Sequence, residues 1–271
     1  TQGGSVAREL ISRGYQVRGL TRNPDSEASR ALATLGVEMV QGNFDDPASL
    51  DRTMEGVDGV FSVQQYRGVG VDGEIRQGRA FADAAKRAGV GHFVYTSVLY
   101  ARLDSGVPQF ESKRQIEDYV RSLGISYSII RPASFMSNLE ADRESALNGI
   151  YRSSFPPEKA RLHIAPQDIG RFAVEAFDDP EAWNGREIDI AGDRISYTDI
   201  AAAMTRVIGR TVLYEPLSAE EYAASATATD RARDQWYLEL EYPLDLEALR
   251  AEFPWLMTVE DYLREAGWGA N

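Results

Sequence analysis

The chain has 271 residues and no cysteine. It can bury a large core, as one domain or as a domain with a smaller lobe, and it can form neither a disulfide nor a thiolate metal site. A net charge of -13 sets its surface against nucleic-acid phosphates and anionic lipid. With two histidines (His92 and His163), no apolar run of spanning length and no signal peptide, no metal site and no membrane partner are expected, and the setting is read as cytoplasmic.

Residues 1–10 read as the end of a glycine-rich turn entering a helix. Gly3 stands where the third glycine of a nucleotide-binding turn lets helix and strand pack closely. The first two glycines and the first strand of the sheet are missing from the sequence given, and are expected in roughly ten residues ahead of Thr1. A vacant edge is therefore expected beside the strand at 15–21. Val6, Leu10 and Ile11 stripe the first helix, which Gly14 ends. After the strand at 15–21, a helix at 25–35 stops at Gly36, and a short strand at 37–40 precedes a helix at 47–54. Then come a strand at 58–63, a long helix at 72–88, a strand at 91–97, a helix at 109–123 and a strand at 126–131 stopped by Pro132. Strands and helices in alternation are the signature of an α/β, doubly wound parallel sheet with right-handed crossovers.

Past Pro132 the rhythm loosens. Residues 135–147 read as helical, and Ile169, Phe172, Ala173, Ala176 and Phe177 form a helical stripe with Asp168 as its cap. Residues 187–191 return to the sheet, 196–208 form a helix ended by Gly209, and 211–215 form a strand. The remainder reads as helix broken at Pro243 and Pro254. The expected division is a nucleotide-binding domain at 1–150, with 164–191 returning to it, and a smaller C-terminal α/β lobe at 192–271.

Doubly wound sheets bind ligands at the carboxyl ends of their strands. The second strand runs into Thr21-Arg22-Asn23-Pro24, where an acid would select NAD; Arg22 instead suits a 2′-phosphate and favours NADP, unless it is a solvated turn residue. Asn43 and Phe44 follow the next strand and would meet adenine, or form a turn in which Asp46 caps the helix at Pro47. Gln64 ends the fourth, under a cofactor's ribose or in a plain polar loop. On the helix at 109–123, Lys113 lies in line with the buried stripe Ile116, Val120 and Leu123, with Gln109 a turn earlier. An inward lysine needs a partner or a polar pocket, unless it snorkels outward.

Gly3-Gly4-Ser5-Val6-Ala7-Arg8, Thr21-Arg22-Asn23-Pro24, Gly42-x-x-Asp45-Asp46, Val94-Tyr95-Thr96-Ser97, Phe110-Glu111-Ser112-Lys113, Ile130-Arg131-Pro132 and Phe135-Met136-x-Asn138 resemble NmrA-like proteins, atypical members of the short-chain dehydrogenase/reductase superfamily. The resemblance spans nearly the whole chain, through Asp168-Ile169-Gly170, Trp236 and Gly267-Trp268. It implies a Rossmann fold binding NADP(H), or NAD(H), with Gly3 at the pyrophosphate and Arg22 at the 2′-phosphate. It places Asn43 and Phe44 at adenine (where the family more often has Asp for Asn43), Lys113 at the nicotinamide ribose, and Pro132 and Phe135 in the nicotinamide pocket.

Reducing members of the superfamily carry a Tyr-x-x-x-Lys pair here, and this chain has Gln109 in place of the tyrosine. An amide cannot donate the proton. The resemblance then implies two functions. One is an NADPH-dependent oxidoreductase of the quinone or azo-dye reductase type, with Lys113 as its catalytic residue and a small-molecule hydride acceptor; Tyr66, Tyr100 or His163 are alternative proton donors or packing residues. The other is a non-catalytic NADP(H) redox sensor that regulates a partner protein. The aromatic tail (Trp236, Tyr237, Tyr242, Trp255, Tyr262, Trp268) would dock that partner or form the small lobe's core. A monomer is expected.

Overall fold

The structure, a computed structural model, describes residues 2–269. In chain order it runs α1 (Gln2–Ser12), β1 (Arg18–Thr21), α2 (Glu27–Thr34), β2 (Glu38–Gln41), α3 (Pro47–Met54), β3 (Gly59–Ser62), α4 (Gly70–Ala88), β4 (His92–Thr96), α5 (Pro108–Ser122) and β5 (Tyr127–Pro132). It continues through β6 (Ser134–Phe135), a 3-10 helix (Met136–Asp142), α6 (Arg143–Leu147), β7 (Ile150–Ser153), β8 (Ala160–Ile164), α7 (Pro166–Asp178), α8 (Pro180–Trp183), β9 (Arg186–Ile190) and β10 (Asp193–Ser196). The last elements are α9 (Tyr197–Ile208), β11 (Leu213–Pro216), α10 (Ala219–Ser225), α11 (Ala228–Glu239), α12 (Leu246–Glu252) and α13 (Val259–Glu265). Two compact units result: Thr1–Arg131 with Ile169–Asp189, and Pro132–Asp168 with Ile190–Asn271. The expected boundary at 150 thus falls inside the second unit. Among the described residues no helix is long and apolar enough to cross a membrane.

In the first unit β1 and β2 form a parallel pair, and β3, β4, β5 and β9 lie side by side with β3–β4 and β4–β5 parallel. Among the described residues no ladder joins β1 to β3. The core between sheet and helices is Leu50, Met54, Phe81, Phe93, Tyr95, Ile116, Val120 and Ile129. Gly42 has no freedom to vary: a Cβ there would lie 2.5 Å from Ser49 and 2.9 Å from Leu20. Gly170 likewise lets α7 press on α1: a Cβ there would lie 3.0 Å from the Ser5 carbonyl oxygen.

One buried cation ties α5 to the sheet. Arg131 is 1% exposed. It donates to both carboxylate oxygens of Glu117 at 2.7 Å and to Glu187 on β9, while Arg121 also bonds Glu117 (2.8 Å) and Glu187 (2.6 Å). The hydrogen bond from Arg121 is the largest reason that the Glu187 carboxyl sits down at about 2.

The second unit holds a three-stranded sheet in the order β10–β8–β6, antiparallel then parallel, and a parallel β11–β7 pair. Its core joins Met136, Tyr151, Phe155, Tyr197, Met204, Tyr262, Leu263 and Trp268. Tyr262 and Trp268 of the aromatic tail are therefore core residues, both donating to Glu140 (3.1 and 2.8 Å), and Trp236, Tyr237, Tyr242 and Trp255 are half-buried.

Two sequence expectations change here. Residues 135–147 are not one helix: Phe135 pairs with Ile164 in a sheet, and the chain tightens into 3-10 geometry before α6. Asp168 is not a cap: α7 begins at Pro166, and the fully buried Asp168 carboxylate accepts the Met257 N–H at 2.9 Å. The strands β7, β8 and β10 are additions, because short strands with mixed faces carry no clean alternation.

Since Glu187 is depressed in the fold, its contribution to stability is full above its ordinary value of 4.5 and is lost as pH falls towards 2. Urea midpoints should therefore drop between pH 5 and pH 2 in the native chain, and Glu187→Gln should lower the pH 7 midpoint and flatten that fall.

Candidate active site

The carboxyl ends of β3, β4 and β5 converge where α4 and α5 lie against each other. Glu74 and Lys113 meet there. Glu74 is fully buried and lies on the α4 stripe with Gln77, Gly78 and Phe81. Lys113 retains 12% of its side-chain exposure, and its Nζ lies 3.1 Å from Glu74 Oε1. The ammonium also donates to the backbone carbonyl of Gln64 at 2.6 Å, just past β3. Ser112 donates to the other Glu74 oxygen. Burial pushes the Lys113 ammonium down from its ordinary value, and the Glu74 charge opposes that.

The position four residues before Lys113 holds the buried amide of Gln109. A phenol does lie near the lysine: the ring centroid of Tyr95 on β4 is 5.6 Å from Lys113 Nζ. Burial, then the nearby Glu74 carboxylate, raises its phenol well above the ordinary value. It is a poor acid. The buried hydroxyls of Thr96 and Ser97, at the end of the same strand, have no hydrogen-bond partner among the described residues.

The other expected residues separate by role. Arg22 directly follows β1, is exposed, and lies between Thr21 and Asn23, whose N–H donates to Thr21 Oγ1 at 3.3 Å. Asn43 is half-buried; its side chain accepts the Asp45 N–H at 2.7 Å, and its backbone bonds both ways with Ser49 Oγ. Phe44 packs edge-on against Phe81, centroids 5.3 Å apart, so both help build the turn in which Asp46 caps α3. Gln64 turns its amide to Ser62 (3.0 Å) and reaches Lys113 through its carbonyl alone. Gly3 is exposed, and a Cβ there would meet nothing within 4 Å, so no close packing among the described residues needs it. Pro132 closes β5, and Phe135 sits half-buried in β6 of the second unit.

Of the remaining candidates, Tyr100 packs against Phe110 at 5.8 Å, and Tyr66 is half-buried before α4. His92 is structural: its ring nitrogens bond Ser126 and Ser128 at 2.8 Å each. Glu74, Thr96 and Ser97 are site residues that the sequence reading assigned no role. Glu74 had a signal, an acid on the apolar stripe of α4; the hydroxyls had none beyond their place after β4.

Removing one partner of a buried ion pair leaves the other uncompensated, at a cost of about 3–5 kcal/mol. Lys113→Ala and Glu74→Ala should each fall in that range by urea denaturation at pH 7. The Glu74→Gln/Lys113→Met double variant should lose well under the sum. Additive losses would show that the two charges do not sustain each other.

The NmrA-like family matches residues 1–235. The NmrA-like family domain-containing oxidoreductase FrzB of Cladobotryum sp. is 30% identical over 246 residues, 80% of this chain and 73% of that protein. Among solved structures, the Citrobacter sp. triphenylmethane reductase complexed with NADP(H) superposes with a TM-score of 0.80 at 21% identity, covering 98% of this chain and 96% of that one. Nmra, a negative transcriptional regulator solved in complex with NAD, superposes at 0.78 with 23% identity, covering 97% and 91%. At such identities the two structures show the fold, and the match over most of the sequence shows the kinship: this chain belongs to the NmrA-like family.

Proposed function

We propose that this protein binds NADP(H) on its first unit and passes hydride to a small acceptor that needs little proton donation from the enzyme, in the manner of quinone and azo-dye reductases. The observation that carries this reading is a buried lysine past the end of β3, together with two buried hydroxyls at the end of β4 that have no hydrogen-bond partner among the described residues. An ammonium has three N–H bonds, and the Glu74 carboxylate and the Gln64 carbonyl account for two. The third suits a ribose hydroxyl. Thr96 and Ser97 end β4 with donors and acceptors unused, and unsatisfied buried hydroxyls are the groups that a polar ligand would complete. Arg22, exposed after β1, suits a 2′-phosphate. Pro132 and Phe135 are assigned to the nicotinamide pocket, and Asn43, Phe44, Gln64 and Gly3 to the cofactor's length. The cofactor, when bound, supplies the hydride.

Lys113 is the catalytic residue of this reading, holding the ribose and stabilising negative charge that develops near it. It has no phenol to sharpen, since Gln109 cannot donate a proton and the Tyr95 hydroxyl is held above its ordinary value. The same two residues favour a second reading, in which the protein binds NADP(H), performs no turnover and signals the cofactor's redox state to a partner protein. A cytoplasmic monomer is proposed in either case.

Absorbance at 340 nm separates the readings. Incubated with NADPH and a panel of quinones and azo dyes, the protein should oxidise NADPH only when an acceptor is present. Tight binding without oxidation, with different affinities for NADPH and NADP+, would replace the reductase with the sensor. Arg22→Ala should weaken NADPH about 10–100-fold, the loss of a charge-assisted contact of about 1.5–3 kcal/mol, and leave NADH within about threefold. Equal loss for both would remove Arg22 from the phosphate site.

A further inference from the structure

The second unit contains a buried polar group that the reaction above does not use. His163 lies on β8, the central strand of the β10–β8–β6 sheet, and is 6% exposed. Neither of its ring nitrogens has a hydrogen-bond partner among the described residues. Burial first, then the Arg161 cation, pushes this imidazole down to about 3. It is therefore neutral in neutral solution, offering one N–H and one bare nitrogen. Asp193, directly across on β10, is engaged elsewhere and accepts the Val259 N–H at 2.9 Å. Buried polar groups are nearly always satisfied, so two bare nitrogens on one ring call for a partner.

The neighbours define that partner's chemistry. Arg161 is two residues before His163 on the same strand and so shares its face. Its guanidinium donates to Ser134 Oγ at 2.7 Å and to the Tyr197 hydroxyl at 3.2 Å. Ser134 is the residue paired with His163 across β6. The guanidinium carbon stands 4.8 Å from the Phe155 ring and 4.0 Å from the Tyr237 ring. A cation, a hydroxyl and a neutral imidazole thus share one face walled by aromatic rings. Such a set suits a flat aromatic molecule bearing an oxyanion.

We propose that this face of β8 is a binding subsite for a planar aromatic carboxylate or phenolate, with Arg161, Ser134 and His163 holding its oxygen atoms. Tyr237 is the place-holder. It belongs to α11, in which Asp234 alone is buried, and the end of that segment is held by Lys159, whose Nζ bonds the carbonyls of Leu238 (2.9 Å) and Leu240 (3.0 Å). Tyr237 packs on the unit's core from its margin, and the ligand's ring takes the position of the tyrosine on the guanidinium and replaces that contact. The subsite rests on the second unit alone and needs no assumption about the cofactor.

The probe is 1-hydroxy-2-naphthoate, which accepts no hydride, titrated by calorimetry against the whole protein. The native chain should bind it, and Arg161→Met and His163→Phe should each weaken it at least tenfold, whereas Tyr237→Ala should tighten it several-fold. Arg161→Lys and His163→Gln, which keep charge and polarity, guard against misfolding and should retain most of the affinity. Because the chain has only two histidines, nitrogen-15 spectra give a direct readout. The probe should shift the ring nitrogens of His163 and leave those of His92, bonded to two serines, in place. No binding by the native chain, unshifted His163 nitrogens, or loss of binding in Tyr237→Ala would overturn the subsite. NADPH titration of the same variants should be unchanged; loss of NADPH binding by the native chain, with naphthoate retained, would sink the cofactor reading and leave the subsite standing.

Discussion

Lys113 stays inside the first unit because Glu74 goes inside with it. A lone ammonium would be driven neutral or outward by desolvation, and a lone carboxylate likewise. Together, with Ser112 and the Gln64 carbonyl completing the geometry, they form a polar knot between α4 and α5 at the ends of the strands. The knot fixes where the lysine can act. Such a pair adds little net stability compared with apolar packing, but losing half of it is severe. Its value is therefore positional.

A second charge cluster repeats the logic lower on the same helix. Arg131 on β5 is enclosed by Glu117 on α5 and Glu187 on β9, and Arg121 closes the ring from outside. Helix α5 is thus held by two buried ionic contacts on one face, at Lys113 and at Glu117. Ile116 and Val120, one on either side of Glu117 along the helix, pack into the core. The register of α5 against the sheet is consequently pinned by charge as well as by shape, which keeps Gln109 and Lys113 at the strand ends.

The first unit was legible in the sequence because its elements obey simple periods. Helix α3 falls at residues 47–54 as read, marked by Asp46 and Pro47, and the helix ends at Gly14 and Gly36 adopt the positive φ that glycine alone accepts readily. The second unit was less legible. Its strands are short, and β8 alternates Arg161 and His163 with Leu162 and Ile164, so that both faces are buried and no amphipathic signal survives. Asp168 reads as a cap by type and becomes a buried acceptor because of Met257, a contact across 89 residues that no local pattern encodes. At the candidate site, the inward placement of Lys113 followed from its stripe. Its acid partner lay on another helix and could be read only by asking the same question of α4.

The replacement at position 109 matters through this geometry. In a Tyr–Lys pair the lysine's charge lowers the phenol's pKa and makes it the better acid. Here the Lys113 charge is compensated at 3.1 Å by Glu74, and the Tyr95 phenol near it presents its ring face. Burial raises the Tyr95 phenol above its ordinary value, and the Glu74 carboxylate raises it further. The same lysine that would serve acid catalysis is thus committed to binding, and the electrostatics around it oppose proton donation from this chain. On the proposed reductase reading, chemistry at such a site is confined to acceptors whose reduced form can take its proton from water; on that reading and on the sensor reading alike, the strand-end residues would act by holding and orienting what binds there.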